Sequence, residues 1–147
     1  MARPGAFLAL NGDDRRLLVE AGLRLVAAWV ALRIFPFARV VASIRPRPGV
    51  AMARDAGLVR RVRWAVEVAA RRLPTVLTCL PQALAASWML QARGLGPRLH
   101  YGVASSGDEG FEAHAWVELD GMPVIGRRGA DRFTPLARFP LEGQARP

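Results

Sequence analysis

The sequence predicts an α+β fold, with helices gathered in the first two-thirds of the chain and an antiparallel sheet in the last third. Three observations predict it. Apolar residues recur at spacings of three and four between residues 17 and 91, the period of an amphipathic helix. From residue 98 the period changes to two. Asp120-Gly121 then separates two alternating runs, which is a strong short-range hairpin signal. Helical runs followed by strand runs make an α+β layout. The chain has 147 residues, 52% of them hydrophobic. That is enough for one domain to bury roughly two-thirds of its unfolded surface.

Taken in order, Asn11 to Asp14 offer N-cap chemistry. A helix follows, with an apolar face at Leu17, Leu18, Gly22, Leu25, Val26, Trp29 and Leu32. Ile34-Phe35-Pro36-Phe37 breaks it, and a second helical piece runs to about Ile44. "RPRPG" at 45–49 reads as a linker, because proline and glycine remove helical options on both sides. A third helix spans roughly 54–72, with Leu58, Val62, Ala65, Val66 and Ala69 inward and arginines outward. Leu73-Pro74 ends it. Thr78 is placed to cap the next helix, which tolerates Pro81 only in its first turn and stops at Gly94. "RLHYGVA" (98–104) and "FEAHAWVEL" (111–119) read as strands joined by the loop "SSGDEG", and "MPVIG" (122–126) returns antiparallel. The tail "RRGADRFTPLARFP" reads as loop with a short apolar closure. The sheet is expected to be a meander.

The charge narrows the partners. The net charge is +9, and every basic residue is arginine. The arginines are scattered in pairs such as Arg15/Arg16, Arg71/Arg72 and Arg127/Arg128 rather than gathered on one face among aromatics. This argues against a nucleic-acid binder and for an acidic peptide or protein partner. A single cysteine, Cys79, excludes an intrachain disulfide and suits a reducing, cytoplasmic setting or a thiol kept for its chemistry. Neither a signal peptide nor a membrane span is expected. Glu20, Arg24, Arg33 and Arg39 interrupt the apolar stretch from Leu17 to Ile44, which falls short of the ~20 continuous apolar residues a span requires. His100 lacks neighbouring ligands at metal-binding spacing, so neither a metal nor a cofactor is expected.

The chemistry centres on Cys79 and His114. A thiolate is the nucleophilic form of cysteine, and a helix N-terminus favours negative charge while offering backbone amides to a developing oxyanion. A histidine on a neighbouring strand can take the thiol proton and return it to a leaving amine. The competing structural account treats Cys79 as a small buried hydrophobe and His114 as a packed strand residue.

"TCLPQALAASWMLQARGLGPRLHYGVA" followed by "FEAHAWVELDGMPV" closely resembles the lasso-peptide B proteins. These are leader peptidases of the transglutaminase-like, papain-related cysteine protease superfamily. The resemblance covers roughly residues 60–139, and the N-terminal helices look like those of the standalone form. It implies a transglutaminase-like protease domain at 54–147; the helical region at 1–48 that precedes it is the candidate docking surface, through its apolar stretch from Leu17 to Ile44. It also implies Cys79 as nucleophile, His114 as base, and removal of a leader from a ribosomally made precursor peptide. The partners it implies are a separate leader-recognition protein and an ATP-dependent macrolactam synthetase. Rival readings are an inactive scaffold of the same fold and another Cys-His amidase or acyltransferase.

The third catalytic member departs from the family pattern, which has an aspartate opposite the histidine on the strand after the hairpin. A two-residue turn pairs Leu119 with Met122 and sets His114 opposite Arg127, next to Gly126. Neither is acidic. Asp120 lies six residues along the strand, about 20 Å away at ~3.3 Å per residue, too far to orient the ring. Asp131, folding back from the "RRGAD" loop, is the expected orienter, with Glu112 or a backbone carbonyl as alternatives. Trp116 is expected as core or as a cleft wall, Glu118 as a cross-strand partner, and Gln82 as an exposed residue or an oxyanion donor.

Overall fold

In the computed structural model, which describes residues 5, 8–45, 56–74 and 77–141, the helical part comprises α1 (Gly12–Ile34), a short α2 (Phe37–Val41), α3 (Ala56–Arg72) and α4 (Cys79–Ala92). Strands β1 (Arg98–Ser105), β2 (Phe111–Leu119), β3 (Met122–Ile125) and β4 (Thr134–Phe139) follow. The α+β order is the expected one. Most of the "RPRPG" linker and the anticipated boundary between 48 and 54 lie outside the described residues.

Helix α1 begins where the Asn11 Oδ1 accepts the Asp14 amide at 2.8 Å, satisfying a first-turn donor with no partner inside the helix. Its buried row is Leu17, Leu18, Ala21, Leu25 and Ala28. Val26, expected inward, is 46% exposed. Contact with both α3 and α4 selects the Leu17–Ala21–Leu25–Ala28 row and turns Val26 outward. Two ion pairs fasten α1 laterally. Arg61 reaches Asp14 at 2.9 Å. Arg93 grips Glu20 with both Nη atoms at 3.1 and 2.7 Å, a bidentate fork.

Helix α4 is apolar on almost every side. Ala83, Leu84, Ala85, Ala86, Ser87, Met89 and Leu90 are all buried, as a helix with no polar face must be. The three alanines let α1, α3 and strand β2 come close to its backbone. One continuous core results, running from Leu17 and Leu25 through Val62, Val66, Leu84 and Leu90 to Leu99 and Val117. Helix α1 therefore shares its core with the sheet.

The sheet order is β3-β2-β1-β4, antiparallel throughout. The first three strands form the expected meander. The tail corrects the sequence reading: β4 is a strand, and it returns to lie beside β1 rather than β3, giving a Greek-key order. It escaped a period-two reading because only Phe139 of its six residues is buried. Pro135 is tolerated because β4 is an edge. At Gly102, where the β1–β4 register shifts, an added Cβ would lie 2.8 Å from the Thr134 carbonyl. Only glycine lets β4 start there.

The β2–β3 turn has positive φ at both Asp120 (50°) and Gly121 (78°), the conformation that matches strand twist. Leu119 pairs with Met122 as expected, but a bulge then pairs Val117 with Ile125. Strand β3 ends at Ile125, so His114 has no ladder partner opposite it on this side.

Because α4 is enclosed, Leu84→Ala leaves a cavity that its neighbours cannot fill. The expected loss is about 2–5 kcal/mol, read as a lower urea midpoint at unchanged m-value.

Candidate active site

Cys79 is the first residue of α4 and is partly buried. Thr78 precedes it in extended conformation and makes no side-chain capping bond. The first-turn amides are therefore not consumed by the cap, and Pro81 removes one donor that would otherwise lack a partner. The Gln82 Nε2 donates to the Leu77 carbonyl at 2.8 Å. Its amide braces the chain entering the helix, a role the sequence reading did not consider.

Helix α4 packs against β2, which carries His114. The His114 Nε2 lies 2.6 Å from the Gly126 carbonyl oxygen. A carbonyl only accepts, so Nε2 carries the proton, and in the neutral ring Nδ1 holds the lone pair. That leaves Nδ1 as the ring nitrogen able to accept a proton. Phe133 and Trp116 pack the ring at centroid distances of 5.0 and 6.0 Å.

Gly126 can hold this carbonyl in place because it is glycine. Its φ is +77°, and an added Cβ would sit 2.7 Å from the Ala115 carbonyl and 3.1 Å from the Trp116 Cα. Both the dihedral angle and the space exclude a side chain.

Cys79 and His114 line one groove of about 690 Å³, together with Leu77, Gln82, Val124 and Gly126. Among the described residues no hydrogen bond joins the thiol to the ring. The arrangement places a thiol at the positive end of a helix, an imidazole with a defined tautomer in the same groove, and uncapped amides beside the thiol, the groups that nucleophilic and base chemistry would need.

The expected orienter, Asp131, stands elsewhere. Its carboxylate pairs with Arg127 at 3.4 Å and is 87% exposed, held at the surface by the short 3₁₀ turn Ala130–Arg132. Glu112 pairs with Arg132 at 2.8 Å. Of the groups the sequence left open, the backbone carbonyl is the one on the ring. Glu118 is a cross-strand partner, reaching His100 at 3.3 Å and Arg127 at 3.2 Å. Trp116 is buried and stacks on both histidines, nearly parallel to His100 at 5.3 Å. His100 is held below the usual histidine range mainly by burial, with Arg138 and Arg98 adding to the effect and Glu118 opposing it.

A model of the transglutaminase-like superfamily matches residues 22–138. No curated protein and no solved structure matches the chain.

Two measurements check this geometry. Long-range ¹H–¹⁵N spectra of the neutral protein should show His114 with its proton on Nε2, and Gly126→Ala should lose that preference. His100, with its folded value lowered, binds fewer protons folded than unfolded at mildly acidic pH. Its contribution to stability is therefore complete above about pH 6.5 and declines as pH falls below it. Urea midpoints between pH 7.5 and 5 should fall more steeply for the wild type than for His100→Gln.

Proposed function

The chain belongs to the transglutaminase-like superfamily, and we propose that it is a cysteine endopeptidase that removes the leader from a ribosomally made lasso-peptide precursor. The superfamily includes cysteine proteases and acyltransferases. One observation carries the reading: Cys79 at the uncapped start of a buried helix shares a groove with a His114 whose tautomer leaves Nδ1 free. The lasso-peptide specificity rests on the resemblance of "TCLPQALAASWMLQARGLGPRLHYGVA" and "FEAHAWVELDGMPV" to the B proteins.

In this reading the His114 Nδ1 takes the Cys79 proton as sulfur attacks the scissile carbonyl. The tetrahedral oxyanion is held by first-turn amides of α4. The imidazolium returns the proton to the departing amine, leaving a thioester. Water, deprotonated by the same nitrogen, releases the leader as a free carboxylate and restores the thiol. The Gly126 carbonyl aligns the ring through its dipole, without the full charge of an aspartate.

The leader is recognised in trans, by a separate leader-binding protein, and a macrolactam synthetase acts on the released core. Helix α1 suits the docking of such a partner. Val19, Leu23, Val26, Val30 and Ile34 follow helical spacing and are exposed, Leu23 at 68%. Arg15, Arg16 and Arg24 flank the upper part of the stripe, so the complementary surface is apolar with acidic borders. No helix among the described residues is long and apolar enough to cross a membrane.

A second reading, an inactive scaffold, draws on one observation: among the described residues, no carboxylate hydrogen-bonds to the His114 ring.

The deciding experiment incubates precursor peptide with this chain and the leader-recognition protein, and follows cleavage by mass spectrometry. Cys79→Ala should abolish cleavage while keeping the wild-type circular dichroism spectrum. His114→Ala should lose roughly 10²–10⁴-fold in kcat/KM, and Asp131→Asn should stay near wild type. Equal cleavage by wild type and Cys79→Ala would sink the endopeptidase reading. So would no cleavage by any of them, which would favour the scaffold.

A further inference from the structure

The groove that holds Cys79 and His114 is walled by arginine. Arg63 and Arg71 reach it from α3, and Arg127 and Arg128 from the segment after β3, with Glu67 the one acid among its lining residues. Two of the four arginines are committed inside the protein. Arg63 pairs with Glu67 at 3.0 Å. Arg127 pairs with Glu118 at 3.2 Å and with Asp131 at 3.4 Å. Arg71 and Arg128 are exposed and meet no carboxylate among the described residues.

Two uncommitted guanidinium groups lining one concave surface give that surface a positive potential, which the low-dielectric walls concentrate. A guanidinium fork matches the two oxygens of a carboxylate in a way that an amide or hydroxyl does not. The groove is polar along its arginine rim and apolar at Leu77, Val124 and Ile125. That suits an extended peptide in which acidic side chains alternate with uncharged ones.

We infer that Arg71 and Arg128 form a substrate subsite that binds carboxylate side chains of a peptide segment lying across Cys79 and His114. The subsite sets a preference for Asp or Glu flanking the bond that is cut. It rests on the endopeptidase reading for the cleavage, and not for the binding.

Scattered arginine elsewhere makes a charge-matched control necessary. Full-length Cys79→Ala protein, which does not turn over substrate, is titrated into two fluorescein-labelled decapeptides that differ only in carrying two central Glu or two central Gln residues. Anisotropy gives the affinities. The Glu peptide should bind roughly ten-fold tighter, as expected of two partly exposed ion pairs, and the advantage should shrink as salt is raised. Arg71→Gln/Arg128→Gln in the same background should reduce the preference to about two-fold or less. Arg60→Gln/Arg72→Gln, which removes the same charge from exposed residues that do not line the groove, should retain it. Equal binding of the two peptides, or none of either, overturns the subsite. So does an equal fall in both double variants, which assigns the preference to net charge. A preference that survives Arg71→Gln/Arg128→Gln overturns it as well. The cleavage assay separates this outcome from the enzymatic reading. Selective binding of the Glu peptide without any precursor cleavage leaves the subsite standing and removes the protease. Cleavage with no Glu preference does the reverse.

Discussion

The enclosure of α4 is the constraint on which the rest of the molecule depends. A helix with Leu84, Met89 and Leu90 on different sides, all fully buried, cannot slide or rotate without opening several interfaces together. Close packing resists such motion because each lost contact leaves a void. Helices α1 and α3 and strands β1, β2 and β3 all pack against it. The position of its first residue is thereby set by the whole core and not by the loop leading into it. A thiol at residue 79 is as well located as the core itself, although the residue is only partly buried.

The histidine is positioned by different means. Strand β2 fixes its backbone through pairing with β1, where His114 stands opposite Gly102. The ring is then aligned by Trp116, two residues along the same strand, and by two neighbours from outside the ladder, Phe133 and the carbonyl at 126. The bulge that pairs Val117 with Ile125 brings the chain to Gly126 early, and the left-handed dihedral there aims the oxygen back at β2. A carbonyl dipole fixes a tautomer as well as a carboxylate does. It stabilises an imidazolium less, because it carries no net charge.

What was legible in the sequence was what side chains encode. The helical spacing, the Asp120-Gly121 turn, and a cysteine just after Thr78 at a helix start were all visible as letters in a pattern. The inward face of α3 was recovered almost whole, with Val59 in place of Leu58. Strand β4 was not legible, because an edge strand with one buried residue and an internal proline has no periodic signature. The ring acceptor was only half legible. The hairpin count put His114 near Gly126, but a count cannot register a bulge, and a search for a carboxylate passes over a glycine. Asp131 carried the right functional group, yet Arg127, four residues earlier, draws it outward. The two arginines of the groove rim were hidden for the opposite reason: in a chain with arginine throughout, nothing in the letters separates paired from unpaired.

The acceptor at position 126 also changes what has to be inherited. A carboxylate in the third catalytic position is a property of one codon, lost or regained by a single base change. An oxygen of the main chain is present whatever residue is encoded, so the trait transmitted here is a path of the backbone, kept by one residue that can follow it. What positions such a ring is not all written in side chains, and part of it can be read only in three dimensions.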